Sequence, residues 1–314
     1  MEILQAIDTD RIRGLRERGE YFWLDLLDPS VSDLNALREF VTIHPLAHQD
    51  TIEFGQRAKL DDYPESALLV FYGAEPQSAG RPRLVEVHLH ISAEALVTVS
   101  REPLGALAEA RRRASARPPS RAGDAVHSVL DASADSLLDS LDGFDDAIDS
   151  LQEALVEHAT TAHRRRIFQL RRQLAEMHQI VVPQRDLLAS GDDLINAIPG
   201  LDGDRDRARE DLRDVHDHLA RATGLIGSYR EQLASLLDLY VTEVSNRLNV
   251  TMKRLTLIAT VFLPLSFLTG FFGMNFGWLL QQMTPMWTFF AFGIALLIAS
   301  AAGVAVYLRR STDQ

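Results

Sequence analysis

The sequence predicts an α+β cytoplasmic domain followed by long stalk helices and a C-terminal two-helix transmembrane hairpin. Strand-like apolar segments are confined to about the first hundred residues, and helical periodicity dominates the middle of the chain. The stretch from Leu255 to Leu308 contains no Asp, Glu, Lys or Arg. Since roughly 20 apolar residues cross the hydrocarbon core of a bilayer, this last stretch can hold two spans.

These patterns predict the boundaries of the segments along the 314-residue chain. We expect a cytoplasmic α/β domain at 1–120, an acidic antiparallel helical hairpin at 121–200, a stalk helix at 201–254, a first transmembrane helix at 255–273, an outer loop at 274–285, a second transmembrane helix at 286–308 and a cytoplasmic tail at 309–314.

The first hundred residues combine strand and helix signals. Apolar or alternating segments predict strands at 21–26, 67–72, 84–91 and 95–100. Between the first two, Ser32 is a candidate N-cap for a helix that continues through Leu37. A small sheet covered by helices is the expected result.

The predicted hairpin has one acidic and one basic helix. Between Val126 and Leu155, apolar residues recur at three- and four-residue steps, and Asp and Glu fill the remaining face from Asp131 to Glu157. The second helix, from about Ala162 to Leu188, carries arginines early in its length, and we expect acid to face base. The acidic face is either solvated or a reservoir for cations.

A heptad pattern then predicts the stalk. Its apolar residues alternate three- and four-residue steps at Leu212, Val215, Leu219, Ala222, Ile226, Tyr229, Leu233, Leu236 and Tyr240. A single helix from Asp204 to Phe272 would be on the order of 100 Å long at 1.5 Å per residue. The stalk would therefore continue directly into the first membrane span.

Charge predicts the orientation and excludes one class of partner. Lys253 and Arg254 precede the first span, and Arg309 and Arg310 follow the second, so the positive-inside rule places both termini in the cytoplasm. The formal net charge of −12 argues against nucleic-acid binding. We expect a multi-pass protein of the cell (inner) membrane.

One helical face runs from the stalk into the first span. It carries small, polar or flexible residues at Asn249, Met252, Leu255, Ala259, Leu263, Ser266, Gly270 and Gly273. Such a stripe fits close packing between helices, or a narrow pore in which polar and apolar rings alternate. Periodicity alone does not separate the two interpretations.

Several segments resemble the CorA-type magnesium transporters. The residues that carry the resemblance are 245–249, Met252-Lys253, 262–267, Gly273-Met274-Asn275-Phe276 and, upstream, Ile43-His44-Pro45-Leu46 and 213–218. Gly-Met-Asn at the end of the first span is the hallmark of that family. The resemblance implies a funnel-shaped homopentamer in which first spans line the pore.

The resemblance also implies residue roles. Gly273, Met274 and Asn275 would form the selectivity filter at the outer mouth. The pore and its gate would be lined by Asn249, Met252, Leu255, Ala259, Leu263 and Ser266. Lys253, Arg254, Arg309 and Arg310 would form an inner basic collar, and Asp214 matches a position that binds regulatory magnesium between cytoplasmic domains.

The implied function is channel-like influx of Mg²⁺, driven by the membrane potential and gated by intracellular Mg²⁺. Magnesium would be substrate and regulator, and no cofactor is expected. The outer loop departs from the family because Phe276 to Met286 contains no carboxylate. This leaves zinc or cobalt/nickel transport within the same superfamily as an alternative.

Other functions receive less support. A membrane-anchored coiled-coil sensor or scaffold is the alternative from another class. An enzyme is not expected, since we find no phosphate-binding glycine loop or nucleophile elbow. His88 and His90 share a strand face and invite a structural metal, but a third ligand is missing. We expect His216 and His218, two residues apart on a helix, to be poorer ligands still.

Overall fold

The structure, a computed structural model, describes residues 1–77, 81–116, 122–274, 277, 281, 286–295, 298–300 and 302–303. The chain divides into two compact units, Met1–Asp238 and Leu239–Gln314.

A six-stranded mixed sheet forms the centre of the first unit. Its strands are β1 (Glu2–Leu4), β2 (Phe22–Leu27), β3 (Lys59–Tyr63), β4 (Ser66–Glu75), β5 (Arg83–Ser92) and β6 (Ala95–Ser100), in the order β1-β2-β6-β5-β4-β3. β1, β2 and β6 run parallel, and the remaining neighbours are antiparallel. The four strands predicted from the sequence are confirmed.

The two strands that sequence patterns missed, β1 and β3, lie at the edges of the sheet. β1 has only three residues, and β3 reads Lys-Leu-Asp-Asp-Tyr. Short or charged edge strands are common because they discourage pairing with other chains. Such segments lack the apolar alternation by which a strand is identified.

Four helices accompany the sheet: α1 (Thr9–Glu17), α2 (Val31–Leu37), α3 (Pro45–Glu53) and α4 (Gly105–Ala116). The N-cap of α2 is Ser30 and not Ser32. Its hydroxyl accepts a hydrogen bond from the backbone N–H of Asp33, and the Asp33 carboxylate accepts one from the N–H of Ser30. This capping box explains why the helix begins two residues earlier than predicted.

A buried polar chain ties α4 to the sheet. The indole of Trp23 donates to the Thr98 hydroxyl over 2.9 Å, and that hydroxyl donates to Asp25 over 2.6 Å. Arg111 of α4 forms an ion pair with the other oxygen of Asp25. Each polar side chain of this Trp23–Thr98–Asp25–Arg111 chain therefore has a partner, as interior groups require.

The helical part of the first unit consists of α5 (Ala122–Glu157), α6 (Thr161–Ala189), α7 (Gly191–Ala197) and the beginning of α8 (Arg205–Phe272), which follows a 3₁₀ turn at Asp202–Asp204. The apolar stripe predicted for α5 is buried. However, no ion pair joins α5 to α6 among the described residues. Acidic side chains of α5 pair with other helices, Asp124 with Arg207 of α8 for example.

Helix α8 is a single helix of 68 residues, which confirms the predicted continuity. The heptad residues from Leu212 to Tyr240 are buried. From Val241 to Phe271, by contrast, α8 has no buried side chain. By length and composition, Arg205–Phe271 is the one helix among the described residues that could cross a membrane, and its apolar window is 0% buried.

The second predicted span is described only in part. Met286–Thr288 is α-helical, and Phe289–Ala295 continues as a π-helix. Much of the remaining range to Leu308 lies outside the described residues. The two-helix hairpin therefore stays a prediction.

Candidate functional site

The predicted pore residues all lie on α8 within the second unit. Asn249, Met252, Leu255, Ala259, Leu263 and Ser266 are exposed in the single chain. Met252, Leu255 and Leu263 are 60%, 61% and 75% exposed, which is unusual for apolar side chains. Steps of three and four residues keep this stripe on one side of the helix. It is a continuous apolar and polar surface without a partner in the chain's described part.

The helix ends where the filter is predicted to begin. Gly273 donates its N–H to the carbonyl of Thr269 over 3.0 Å, and Met274 donates to Phe271 over 3.3 Å. A Cβ added at Gly273 would lie 3.0 Å from the Thr269 carbonyl oxygen, so a larger residue would strain this turn. Asn275, the third filter residue, lies outside the described residues.

Two of the four residues of the predicted basic collar belong to the described part of the chain. Lys253 and Arg254 are exposed on α8 beside Met252 and Leu255. Arg309 and Arg310 lie outside the described residues. The described half already places two cations next to the predicted gate.

Asp214, the predicted regulatory residue, belongs to a cluster between α5 and α8 in the first unit. One ligand atom each from His127, Asp131 and Asp214 lie within 4.8 Å of one another. A second group with the same spacing consists of Asp131, Asp135 and His218. The two groups share Asp131, so they form one continuous surface, which we call the α5–α8 cluster.

Arg113 of α4 forms ion pairs with two carboxylates of this cluster. The guanidinium of Arg113 donates to Asp131 Oδ2 over 2.9 Å and to Asp135 Oδ2 over 3.5 Å, and its Nε donates to Glu109 over 2.7 Å. The imidazole Nδ1 of His218 lies 3.6 Å from Asp131 Oδ1 and 3.1 Å from Asp135 Oδ1. Each carboxylate thus directs one oxygen to arginine and one to histidine.

At Asp131, burial and a neighbouring carboxylate shift the pKa in one direction and basic side chains shift it in the other. Burial raises the pKa of this carboxyl above its ordinary value, and the negative charge of Asp135 raises it further. His127, Arg113 and His218 act in the opposite direction. The site therefore concentrates carboxylates in a partly desolvated place, where a bound cation would relieve their repulsion.

The sequence prediction missed most of this cluster. His127, Asp131 and Asp135 follow one another at four-residue steps on α5, and Asp214 and His218 do so on α8. Side chains four apart share a helix face, so two such stripes meet once α5 and α8 pack together. The sequence analysis weighed His218 only as a partner of His216, whereas in the structure His218 faces Asp131 and Asp135 of α5.

The histidine pair on β5 has another role. The hydroxyl of Thr51 donates to the carbonyl of Ala47, and Nδ1 of His88 and Nε2 of His90 lie 2.9 and 2.8 Å from the oxygen of this hydroxyl. Both imidazoles are buried. Burial, followed by the proximity of His88 and His48, lowers the pKa of His90 to about 3. The pair is a hydrogen-bonded core element.

Comparison with known proteins identifies a family and relatives that match most of this chain. A family model described as "CorA-like Mg2+ transporter protein" matches residues 18–310. The chain is 27% identical over 311 residues to "Putative metal ion transporter YfjQ" of Bacillus subtilis, covering 98% of this chain and 93% of the relative. It is 29% identical over 280 residues to "Cobalt/magnesium transport protein CorA" of Thermotoga maritima, covering 87% and 78%.

A further relative and a solved structure are also similar to this chain. The chain is 29% identical over 267 residues to "Zinc transport protein ZntB" of Pectobacterium atrosepticum, covering 81% of this chain and 76% of the relative. The solved CorA magnesium transporter of Methanocaldococcus jannaschii superposes with a TM-score of 0.80 at 21% identity, covering 92% of this chain and 90% of that chain. The structural likeness shows the fold.

Proposed function

We propose, since the chain belongs to the family of CorA-like Mg2+ transporter proteins, that it conducts Mg²⁺ into the cell as a channel. As a member of this family it is a divalent cation transporter and not an enzyme. One observation carries the finer proposal. An exposed helical face runs from Asn249 through the first span and ends at Gly273, where the Gly-Met-Asn motif begins.

The proposed filter selects a hydrated ion. Mg²⁺ loses its water reluctantly and usually keeps several water molecules when bound. The carbonyl of Gly273 and the amide oxygen of Asn275 are neutral, so a ring of them can hold the hydrated ion without binding it too tightly. Met274 would support the backbone of the turn.

The proposed gate lies at the inner end of the same face. Rings of Met252 and Leu255 from several copies would close the path by excluding water. Lys253 and Arg254, with Arg309 and Arg310, would add a positive collar that disfavours cations when the path is closed. Asn249, Ala259, Leu263 and Ser266 would line the remaining path.

The membrane potential is sufficient as the driving force. One charge gains about 2.3 kcal/mol per 100 mV, so a divalent ion gains about 4.6 kcal/mol. Inward flux then needs no chemical fuel. The proposal includes a homopentamer in the cell membrane, a second span at 286–308 and both termini in the cytoplasm.

Regulation by intracellular Mg²⁺ is assigned to Asp214. This carboxylate is exposed, yet it lies beside Asp131 of α5 within the α5–α8 cluster. An ion bound there would neutralise both carboxylates and hold α5 and α8 together. Its removal would allow the helices to separate and the gate to open.

Zinc, cobalt or nickel transport is the second candidate. The outer loop lacks a carboxylate, and one similar protein bears the name of a zinc transporter while another is named for cobalt and magnesium. The scaffold alternative is disfavoured by membership of a transporter family.

Flux into liposomes tests the proposal. Protein reconstituted with an imposed gradient should pass Mg²⁺ faster than Co²⁺, Ni²⁺ and Zn²⁺, and Asn275→Ala should reduce Mg²⁺ flux by at least about tenfold, equivalent to about 1.4 kcal/mol. Asn196→Ala makes the same change at an exposed site of α7 and should leave flux unchanged. Equal flux through wild type and Asn275→Ala would refute the filter, and faster Zn²⁺ flux would favour the second candidate.

A further inference from the structure

Helix α6 presents an exposed aromatic residue among arginines. Phe168 is 51% exposed, although phenylalanine is usually buried. The residues three and four positions before and after it are all exposed arginines, namely Arg164, Arg165, Arg171 and Arg172. Side chains at these spacings share one face of a helix. We call this surface, Phe168 with its four arginines, the α6 basic patch.

Most of the positive charge of the α6 basic patch has no partner within the chain's described part. Of its four arginines, only Arg172 forms an ion pair there, with Glu176 over 3.1 Å. The opposite side of α6, with Ile167 and Leu170, is buried, so the patch points away from the core of its own chain. The formal net charge of the chain is −12, so a shortage of acidic residues does not explain the unpaired arginines.

Helix α5 carries a complementary acidic stripe. Asp142, Asp145, Asp149 and Glu153 follow one another at three- and four-residue steps, and all four are exposed. Among the described residues, none of them forms an ion pair with a basic side chain. Val156, which is 65% exposed, continues the same face by one further step. We call this surface the α5 acidic stripe, and like the α6 basic patch it combines charge with an exposed apolar side chain.

A second copy of this chain fits both surfaces better than other partners do. The stripe and the patch belong to helices joined by a short turn, so an anionic membrane or a nucleic acid attracted by the arginines would be repelled by the acids. A second copy supplies both charges at once. Two different surfaces that complement each other on one chain are also what a heterologous interface needs in order to close into a ring.

We propose that the α6 basic patch of one copy docks on the α5 acidic stripe of a neighbouring copy. Phe168 then lies over the segment between Asp149 and Glu153, and the arginines around it pair with the acids of the stripe. Arginine and aromatic side chains are enriched at protein interfaces. Surface ion pairs are individually weak, so they fix the orientation of the two copies more than their affinity. This docking rests on the proposed function in one respect, because the proposed pore requires several copies.

Cysteine cross-linking tests the contact, since the chain contains no native cysteine. Two differently tagged full-length chains, one with Phe168→Cys and the other with Gln152→Cys, are co-expressed, solubilised and treated with a short bis-maleimide. A product that carries both tags can form only between copies. Its yield should exceed that of Gln179→Cys paired with Gln152→Cys by at least about fivefold. Gln179 is exposed on α6 beyond the basic patch and is the matched control.

Charge reversal distinguishes a specific contact from chance encounters. Arg165→Glu with Arg171→Glu in the first chain should lower the yield about fivefold or more, as should Asp149→Arg with Glu153→Arg in the second. Both pairs of substitutions together should restore the yield to within a factor of about two. Arg57→Glu reverses an exposed arginine elsewhere in the unit and should leave the yield unchanged. Circular dichroism of each variant verifies that the helices are intact.

The outcomes separate this inference from the transport proposal. Equal yields from Phe168→Cys and Gln179→Cys, or a yield that charge reversal leaves unchanged, would overturn the docking surface. Protection of Phe168→Cys from maleimide labelling by anionic lipid vesicles, but not by uncharged ones, would also overturn it, because the occupant would then be the membrane. Any of these results would leave Mg²⁺ flux through the Gly273 filter untouched. Absence of flux together with the expected cross-linking would refute transport alone.

Discussion

The two units of the chain differ in what they bury. The first unit buries both faces of its sheet and the inner stripes of its helices within a single chain. The second unit contains the most apolar helical segment, yet α8 buries no side chain between Val241 and Phe271. An apolar helix of this kind needs lipid or other helices around it. The first unit is therefore packed within one chain, whereas the proposed pore requires further copies.

Helix α8 contains this contrast within one element. The stripe from Leu212 to Tyr240 and the stripe from Asn249 to Gly273 have similar helical steps. The first is buried against its own chain and the second is exposed. A periodic pattern thus identifies the face that will be covered, but not what covers it.

The largest expected effect is a loss of folding stability in the first unit. Asp25→Ala removes the partner of Arg111 and of the Thr98 hydroxyl, and breaking such a buried pair costs about 3 kcal/mol or more. Denaturant unfolding of the solubilised protein measures the loss. Asp62→Ala, at an exposed position of β3, should change stability by less than about 0.5 kcal/mol. Equal losses in both variants would contradict the role of the Asp25 network.

The next effect concerns the exposed face of the second unit. Leu255→Asn places an amide in the proposed apolar gate, so the closed path should admit water and leak. Mg²⁺ flux at high internal Mg²⁺ should rise by about tenfold, equivalent to about 1.4 kcal/mol. Leu257→Asn lies two residues on and points away from the stripe, and should not leak. A leak from Leu257→Asn alone would place the pore on another face.

A smaller effect is expected on the inhibition of flux by internal Mg²⁺, which we assign to Asp214. Asp214→Ala removes one carboxylate from the α5–α8 cluster, and loss of one ligand should raise the internal Mg²⁺ concentration for half-inhibition by about threefold to tenfold, or about 1 kcal/mol. Concentration-dependent inhibition of flux measures it. Asp217→Ala, on the exposed side of the same helix, is the matched control. Unchanged inhibition of Asp214→Ala would remove this residue from regulation.

The smallest effect tests acid sensitivity within the first unit. Burial alone would raise the pKa of Glu86, but hydrogen bonds from His88 and from the backbone N–H groups of Gln56 and Gly55 lower it below its ordinary value. A depressed pKa contributes stability above the unfolded-state value of about 4.3, and that contribution is lost as pH falls through the folded-state value.

Glu86→Gln should therefore be less stable than wild type at pH 7, and the difference should shrink as pH falls below about 4.3. Thermal unfolding across this range measures the difference. A gap that widens on acidification would contradict the assigned sign.

Sequence reasoning recovered the parts of the molecule that depend on local pattern. It predicted the four inner strands, the continuity of α8 through Pro264 and membership of the transporter family. It missed the charged edge strand β3 and placed the N-cap of α2 at Ser32, since Ser30 and Ser32 are equivalent as residue types. Only the reciprocal bonds between Ser30 and Asp33 distinguish them.

The two candidate sites also differ in how far the sequence alone predicts them. The pore stripe lies within one helix, so its spacing was readable from residue numbers alone. The α5–α8 cluster joins His127 to Asp214 across a long separation in sequence, and acid on α5 was expected to face the arginines of α6. In the structure Asp131 and Asp135 face Arg113 of α4 and His218 of α8.

The sequence by itself determined the long helices α5, α6 and α8, the inner strands, the uncharged C-terminal segment and the Gly273-Met274-Asn275 motif, because each depends on neighbours within a few turns of the chain. Tertiary structure alone decided which helix faces meet, and with them the partners of Asp131 and His218. The physical reason is that helical periodicity specifies the direction of a side chain from its own axis, whereas its partner depends on how separate axes pack. The same amphipathic pattern therefore became a filled interior before Tyr240 and an open surface beyond it.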